Sequence, residues 1–178
     1  MDLLETCLEK NTVFHGRIVT LRDDRVVLPD GREAWREVVE HPGGVAVAAV
    51  TDDLRVLTVR QFRYPMGEVI REIPAGKLEP GESPAACGLR ELREETGFHS
   101  ARFEPLGLIY PSPGIYGEKM HLFLARDLTF AGQRLDDGEF LTVEALPLDM
   151  LIGMILSNEI KDAKTVIGLM MAREHLQK

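Results

Sequence analysis

Between Gly76 and Phe98 the sequence runs GKLEPGESPAACGLRELREETGF, and its chemistry leaves the backbone little freedom. Ser83 can accept a hydrogen bond from the first free N–H groups of a helix, and Pro84 suits the first helical position, where its missing N–H is not needed. Gly97 is a stop signal, because glycine enters the left-handed conformation that ends helices without a Cβ penalty. The spacing therefore predicts a helix from Ser83 to Gly97, entered from a glycine-bearing turn at Gly76. Ala86, Leu89 and Leu92 recur as an apolar stripe expected to face a core. Glu91, Glu94 and Glu95 stand at i, i+3 and i+4, one turn apart on one face. Three carboxylates so placed repel one another unless something positive lies among them. Two readings fit at this point: a divalent cation held by carboxylate oxygens, or a solvated acidic face.

Composition narrows the partners. At 178 residues, 44% of them apolar, the chain can bury a core as one domain with a small appendage. A formal net charge of −8 argues against non-specific nucleic-acid binding, and it obliges an anionic substrate to find local positive charge. Two cysteines, Cys7 and Cys87, make no disulfide framework. The N-terminus lacks the basic start, apolar run and cleavage site of a leader, and the most apolar run, Val45 to Val50, is too short to span a bilayer. The expectation is a cytoplasmic protein without membrane or nucleic-acid partners.

Along the chain, Thr12 to Trp35 alternates, with turn chemistry at Asp23-Asp24 and at Pro29-Asp30-Gly31. This predicts a small antiparallel sheet with strands near 13–21, 25–28 and 33–40, ended by His41-Pro42-Gly43-Gly44 and forming a subdomain over 1–42. The main domain, 43–178, opens with Val45 to Val50 as a strand buried on both faces, then a hairpin through Asp52-Asp53 into Arg55 to Phe62. Further strands are expected over Val69 to Ile73, Phe103 to Tyr110, Lys119 to Arg126 and Phe140 to Leu146. Two closing helices fit Pro147 to Leu156, with Asp149 as a cap, and Asp162 to His175. The fold class expected is α/β (α+β), a mixed sheet with helices on its faces.

The central stretch matches, at every fixed position, the pattern G-x5-E-x7-R-E-U-x-E-E-x-G-U, where U is a bulky apolar residue: Gly76, Glu82, Arg90, Glu91, Leu92, Glu94, Glu95, Gly97 and Phe98. This is the Nudix box, and the chain resembles a Nudix hydrolase. The resemblance implies an α/β/α Nudix sandwich and cleavage of a nucleoside diphosphate linked to another moiety, with Mg²⁺ (or Mn²⁺) as cofactor. It assigns metal binding to Glu91, Glu94, Glu95 and the backbone carbonyl of Ala75, with Glu94 also counted as catalytic. Gly76, Glu82, Arg90 and Gly97 are structural supports of the box. Such chemistry needs hard cations because a pyrophosphate repels an incoming hydroxide.

Features outside the box resemble ADP-ribose pyrophosphatases: Gln61-Phe62-Arg63-Tyr64-Pro65, Glu72-Ile73-Pro74-Ala75-Gly76, a proline (Pro113) fifteen residues past Phe98, and Asp137-Gly138-Glu139-Phe140. That resemblance makes Glu139 the general base on a loop, with Glu144 as its rival and a solvated turn as the bland alternative. Two readings fit Arg63: a contact to the phosphates, which suits a guanidinium fork, or a surface ion pair. The resemblance puts Trp35 on the adenine, with core or interface packing as the alternative for a lone tryptophan, Pro113 in the substrate loop and Glu118 near the ribose or a second metal. It implies a homodimer in which the N-terminal strands are exchanged. The activity implied is hydrolysis of ADP-ribose to AMP and ribose 5-phosphate. The alternatives are another nucleoside diphosphate derivative (a nucleotide sugar or NADH) and a non-catalytic ADP-ribose-sensing module. The five histidines show no metal-ligand spacing, and neither a Gly-x-Ser-x-Gly nor a Walker loop occurs.

Overall fold

The computed structural model describes residues 3–177, which divide into two units. One unit is the N-terminal segment as far as Gly43 together with Tyr110–Lys119; the other is Gly44–Ile109 with the chain from Met120 onward.

The first unit is an antiparallel sheet of β1 (Thr6–Glu9), β2 (Thr12–His15), β3 (Thr20–Val27) and β4 (Glu33–Glu40). β1 pairs with the end of β3 and β2 with its beginning, so these two short strands lie end to end along one edge while β4 runs along the other. Asp23 and Asp24, expected in a turn, lie inside β3 instead. Asp24 is tolerated there, buried, because Arg22 grips both its oxygens at 2.8–3.2 Å and holds its carboxyl below the usual range. The real reversal is at Gly16, whose N–H donates to the Val19 carbonyl. The Tyr110–Lys119 segment joins this sheet through a Val39–Tyr116 bridge and a hydrogen bond from the Gly117 N–H to the Val39 carbonyl.

The second unit has three layers. Its centre is a mixed sheet in the order β8 (Ala75–Lys77), β5 (Gly44–Ala49), β10 (Met120–Phe130), β9 (Phe98–Ile109), with β5 and β10 parallel. Every residue of β5 is buried, as a continuous apolar run predicts. Its alternation supplies two cores. Val45, Val47 and Ala49 pack with Cys87 and Leu92 of helix α1 (Pro84–Thr96), and Ala46, Ala48 and Val50 with α2 (Leu148–Leu156) and α3 (Ala163–Leu176). A second sheet, β11 (Leu141–Pro147), β6 (Arg55–Arg63), β7 (Glu68–Glu72), is antiparallel throughout.

The expected hairpin between β5 and β6 does not form. The turn at Asp52-Asp53 closes, with the Thr51 N–H donating to the Arg55 carbonyl, but the strands then part into different sheets and share only a Val50–Val56 bridge. β5 already has β8 and β10 on its two edges, so β6 takes β7 and β11. Asp149 lies in the first turn of α2 and does not cap it; Pro147 holds the cap position without a side-chain bond. Asp162 does cap α3, accepting the Thr165 N–H.

Candidate active site

Helix α1 starts and stops where its sequence dictates. Ser83 Oγ accepts the Ala86 N–H at 3.3 Å, and Gly97 closes the helix at φ +80° with its N–H on the Arg93 carbonyl. Its buried side differs from the expected stripe. Ala86 and Leu89 are exposed, and the line facing the sheet is Gly88, Leu92, Glu95 and Thr96, at i, i+4, i+7 and i+8. Gly88 makes this possible, because a Cβ there would stand 2.7 Å from the Phe103 ring. The consequence is chemical: the helix carries Glu95 inward.

Glu95 is 2% exposed, and its Oε2 accepts the Ala75 N–H at 3.0 Å. Burial pushes its carboxyl up to about 8, against the pull of that N–H, and the charges of Glu91 and Glu139 push the same way. Glu91 is also raised by burial, opposed by Arg90 and reinforced by Glu94 and Glu139. Glu139 therefore lies near enough for its charge to act on Glu91 and Glu95, although it follows Glu95 by 44 positions in sequence.

Gly76 does not form a turn; it belongs to β8 and pairs with Val45. The turn comes later, at Glu79–Glu82, with Gly81 at φ +79°. What Gly76 supplies is room. An added Cβ would lie 1.8 Å from Glu91 Oε1, so the Glu91 carboxylate rests directly on the glycine backbone.

Arg90 gathers the remaining acids. Its Nε and Nη2 donate to Glu82 at 2.9 and 3.0 Å, and Nη1 donates to Glu91 at 2.8 Å and Glu94 at 2.9 Å. This bidentate grip lowers the Glu82 carboxyl to about 2. Glu82 in turn accepts the Glu79 N–H and so ties the turn to the helix. Among the described residues no three acid, histidine or cysteine side chains already form a cation cage. The donor set nonetheless suits a hard divalent ion: carboxylates of Glu91, Glu94 and Glu95 beside a β8 backbone, with Glu95 carrying a burial cost that an adjacent cation relieves.

Around this centre, Arg63 donates to Glu72 at 2.6 and 2.9 Å. Glu72, 2% exposed, also takes Lys164 Nζ at 2.7 Å, and Lys164 reaches Asp162 at 2.9 Å. Glu72, Lys164 and Asp162 carry no joint mark in the sequence, since the first two are 92 positions apart; only the Glu72 approach to the box gives a signal. Glu144 pairs with Arg71 at 2.7 Å as an ordinary strand residue of β11. A cleft of ≈550 Å³ beside Glu139 is lined by Arg60, Phe62, Val69, Leu135 and Thr142. Trp35, Pro113 and Glu118 belong to the other unit. Trp35 is 58% exposed on β4, Pro113 lies in an exposed turn, and Glu118 stands 3.3 Å from His41 Nδ1.

Residues 40–167 match the NUDIX domain family model, and residues 5–39 match the nucleoside diphosphate sugar hydrolase N-terminal domain. The chain belongs to the Nudix family. A Bacillus subtilis ADP-ribose pyrophosphatase is 41% identical over 94% of this chain and 92% of its own length. A Bacillus methanolicus methanol dehydrogenase activator is 43% identical over 93% and 90%. A crystal structure titled as an ADP compounds hydrolase superposes with a TM-score of 0.87 over 99% of this chain and 97% of that one, at 24% identity, which establishes the shared Nudix fold. No helix among the described residues is long and apolar enough to cross a membrane.

Proposed function

We propose that this Nudix chain is a Mg²⁺-dependent pyrophosphohydrolase that cleaves ADP-ribose to AMP and ribose 5-phosphate. The observation that carries the reading is the Glu91 carboxylate seated on the Gly76 backbone beside the buried Glu95 of the same helix, with the charge of Glu139 acting on both. The similarity to ADP-ribose pyrophosphatases over nearly the whole chain supports the substrate.

In this reading Glu91, Glu94, Glu95 and the Ala75 carbonyl hold Mg²⁺, with Mn²⁺ as an alternative. The bound cation neutralises the pyrophosphate and lowers the pKa of the attacking water. Arg90 offsets the repulsion between Glu91 and Glu94 and orients both, while Glu82 fixes it from behind. Glu139 takes the proton from the water, because the box carboxylates are committed as ligands and are poor acceptors. Arg63, held in plane by Glu72, presents its remaining N–H groups to a phosphate oxygen. Trp35 stacks on the adenine, and Pro113 and Glu118 shape the ribose side.

The N-terminal unit, residues 1–42 in sequence terms, serves as the dimerisation subdomain of a homodimer. β1 and β2 are exposed throughout, and Val13, Phe14 and Ile18 are each more than half exposed, which leaves apolar side chains uncovered in this unit. Both cysteines are free thiols, in keeping with a reducing, cytoplasmic setting.

A panel of ADP-ribose, NADH and nucleotide sugars, compared by kcat/KM with Mg²⁺, tests the substrate. ADP-ribose should lead by at least about tenfold; a lead for a nucleotide sugar would move the substrate while leaving the Nudix chemistry intact. Tight ADP-ribose binding without hydrolysis would favour a sensing module.

A further inference from the structure

We infer that Gln133 is a positioning residue that ties the Glu139 loop to the carbonyl end of helix α1 and so sets where Glu139 stands. The inference rests on the reading of Glu139 as general base.

A helix leaves its last carbonyls without intrahelical donors, and water commonly satisfies them. Here the loop after β10 does so. The Ala131 N–H donates to the Gly97 carbonyl at 2.7 Å and the Arg134 N–H to the Glu94 carbonyl at 3.1 Å. Between them, Gln133 Nε2 donates to the Glu95 carbonyl at 2.5 Å. Of these three ties it is the one made by a side chain, so a substitution can remove it without touching the backbone. It also grips the residue whose carboxyl is buried at the centre of the site. The loop and the acid are thus two ends of one connection.

Gly97 admits this contact. A Cβ there would fall 2.6 Å from the Gln133 backbone nitrogen and 2.8 Å from the Gly132 carbonyl carbon, so the glycine makes room for the loop backbone that carries the Gln133 side chain. The box glycine therefore ends the helix and also leaves space for the loop to lie on it. Past Arg134 the loop turns through Gly138 at φ +84°, with the Glu139 N–H on the Asp136 carbonyl at 3.0 Å. Five residues separate Gln133 from Glu139 with this single turn between them. Glu139 is thus held between two anchors, the ties to helix α1 before it and the pairing of Leu141 with Gln61 after it, and Gln133 supplies the side-chain part of the first.

Gln133→Met keeps the side-chain length and removes the donor; Gln133→Glu, ionised, has no donor either. Both should lower kcat roughly 5- to 10-fold, the order of one lost hydrogen bond. KM and Mg²⁺ affinity should stay close to the parent values, and the unfolding midpoint should fall by no more than a few degrees. In a Glu139→Gln background the same substitutions should cost less than about twofold, because the group being positioned is gone. Losses that multiply in the double variant, or parental kcat in both single variants, would overturn the inference alone. A fully active Glu139→Gln would overturn the base assignment, and the inference with it.

Discussion

Glu95→Gln should make the metal-free protein more stable while abolishing turnover, and the gain should depend on pH. The carboxyl ionises near 4.5 in the unfolded chain and near 8 in the folded one, raised by burial. Protonation therefore favours the folded state. This contribution is whole below pH 4.5 and is lost as pH rises towards 8. Each tenfold in proton affinity corresponds to about 1.4 kcal/mol, so near pH 7 the parent bears roughly 3 kcal/mol that a neutral amide does not. Glutamine keeps the acceptor for the Ala75 N–H, which leaves the local packing intact. For a domain of this size the gain amounts to roughly 6–12 °C in Tm. Calorimetry of chelated protein at pH 5 and pH 7.5 would measure it: the variant should match the parent within a few degrees at pH 5 and exceed it at pH 7.5. A difference independent of pH, or a less stable variant at pH 7.5, would refute the argument that Glu95 bears an uncompensated burial cost. Excess Mg²⁺ should narrow the gap by stabilising the parent alone.

Further outcomes follow from other contacts. Gly76→Ala places a methyl where the Glu91 carboxylate lies and should cost at least about 100-fold in kcat/KM, with weakened Mg²⁺ binding in a metal titration. Glu139→Gln should lower kcat by roughly 10²- to 10⁴-fold at nearly unchanged KM; a pure KM effect would assign it to binding. The Glu82–Arg90 pair holds Glu82 near 2, so its stabilisation should be complete above pH 4.5 and fade as pH falls towards 2; Glu82→Gln should flatten that part of the Tm–pH curve. Sedimentation should give a mass near twice 19.9 kDa, whereas a monomer would remove the dimer from the account.

The parts of the fold legible in the sequence are those fixed by local chemistry. Ser83, Pro84 and Gly97 carry their instructions within one turn of backbone, and the unbroken apolar run Val45 to Val50 admits little but a doubly buried strand. Where tertiary contacts decide, local signals misled. Asp23-Asp24 looks like a turn until Arg22 is seen to neutralise Asp24 inside a strand. Asp52-Asp53 does make a turn, but strand pairing depends on which edges β8 and β10 have already taken. Ala86 and Leu89 have helical spacing, yet Gly88 brings the sheet to a neighbouring face, which moves Glu95 inside.

The site divides in the same way. Nine fixed positions within 23 residues identify the box because its geometry is carried by a single turn-and-helix unit. Gln133 and the Glu72–Lys164 pair have no such local mark; each acquires meaning only through a partner brought near by the sheet order. Even the box glycine changed its role, from making a turn to leaving room for a carboxylate.

Everything proposed for this site depends on the box carboxylates holding a divalent ion for cleavage of ADP-ribose. The most direct measurement is product formation from ADP-ribose by chelated protein before and after Mg²⁺ is restored, with the products identified chromatographically, in the parent and in Glu95→Gln. The parent should give AMP and ribose 5-phosphate only after Mg²⁺ is added, and the variant none. Equal turnover by the two proteins, or turnover that ignores chelation, would contradict the metal assignment.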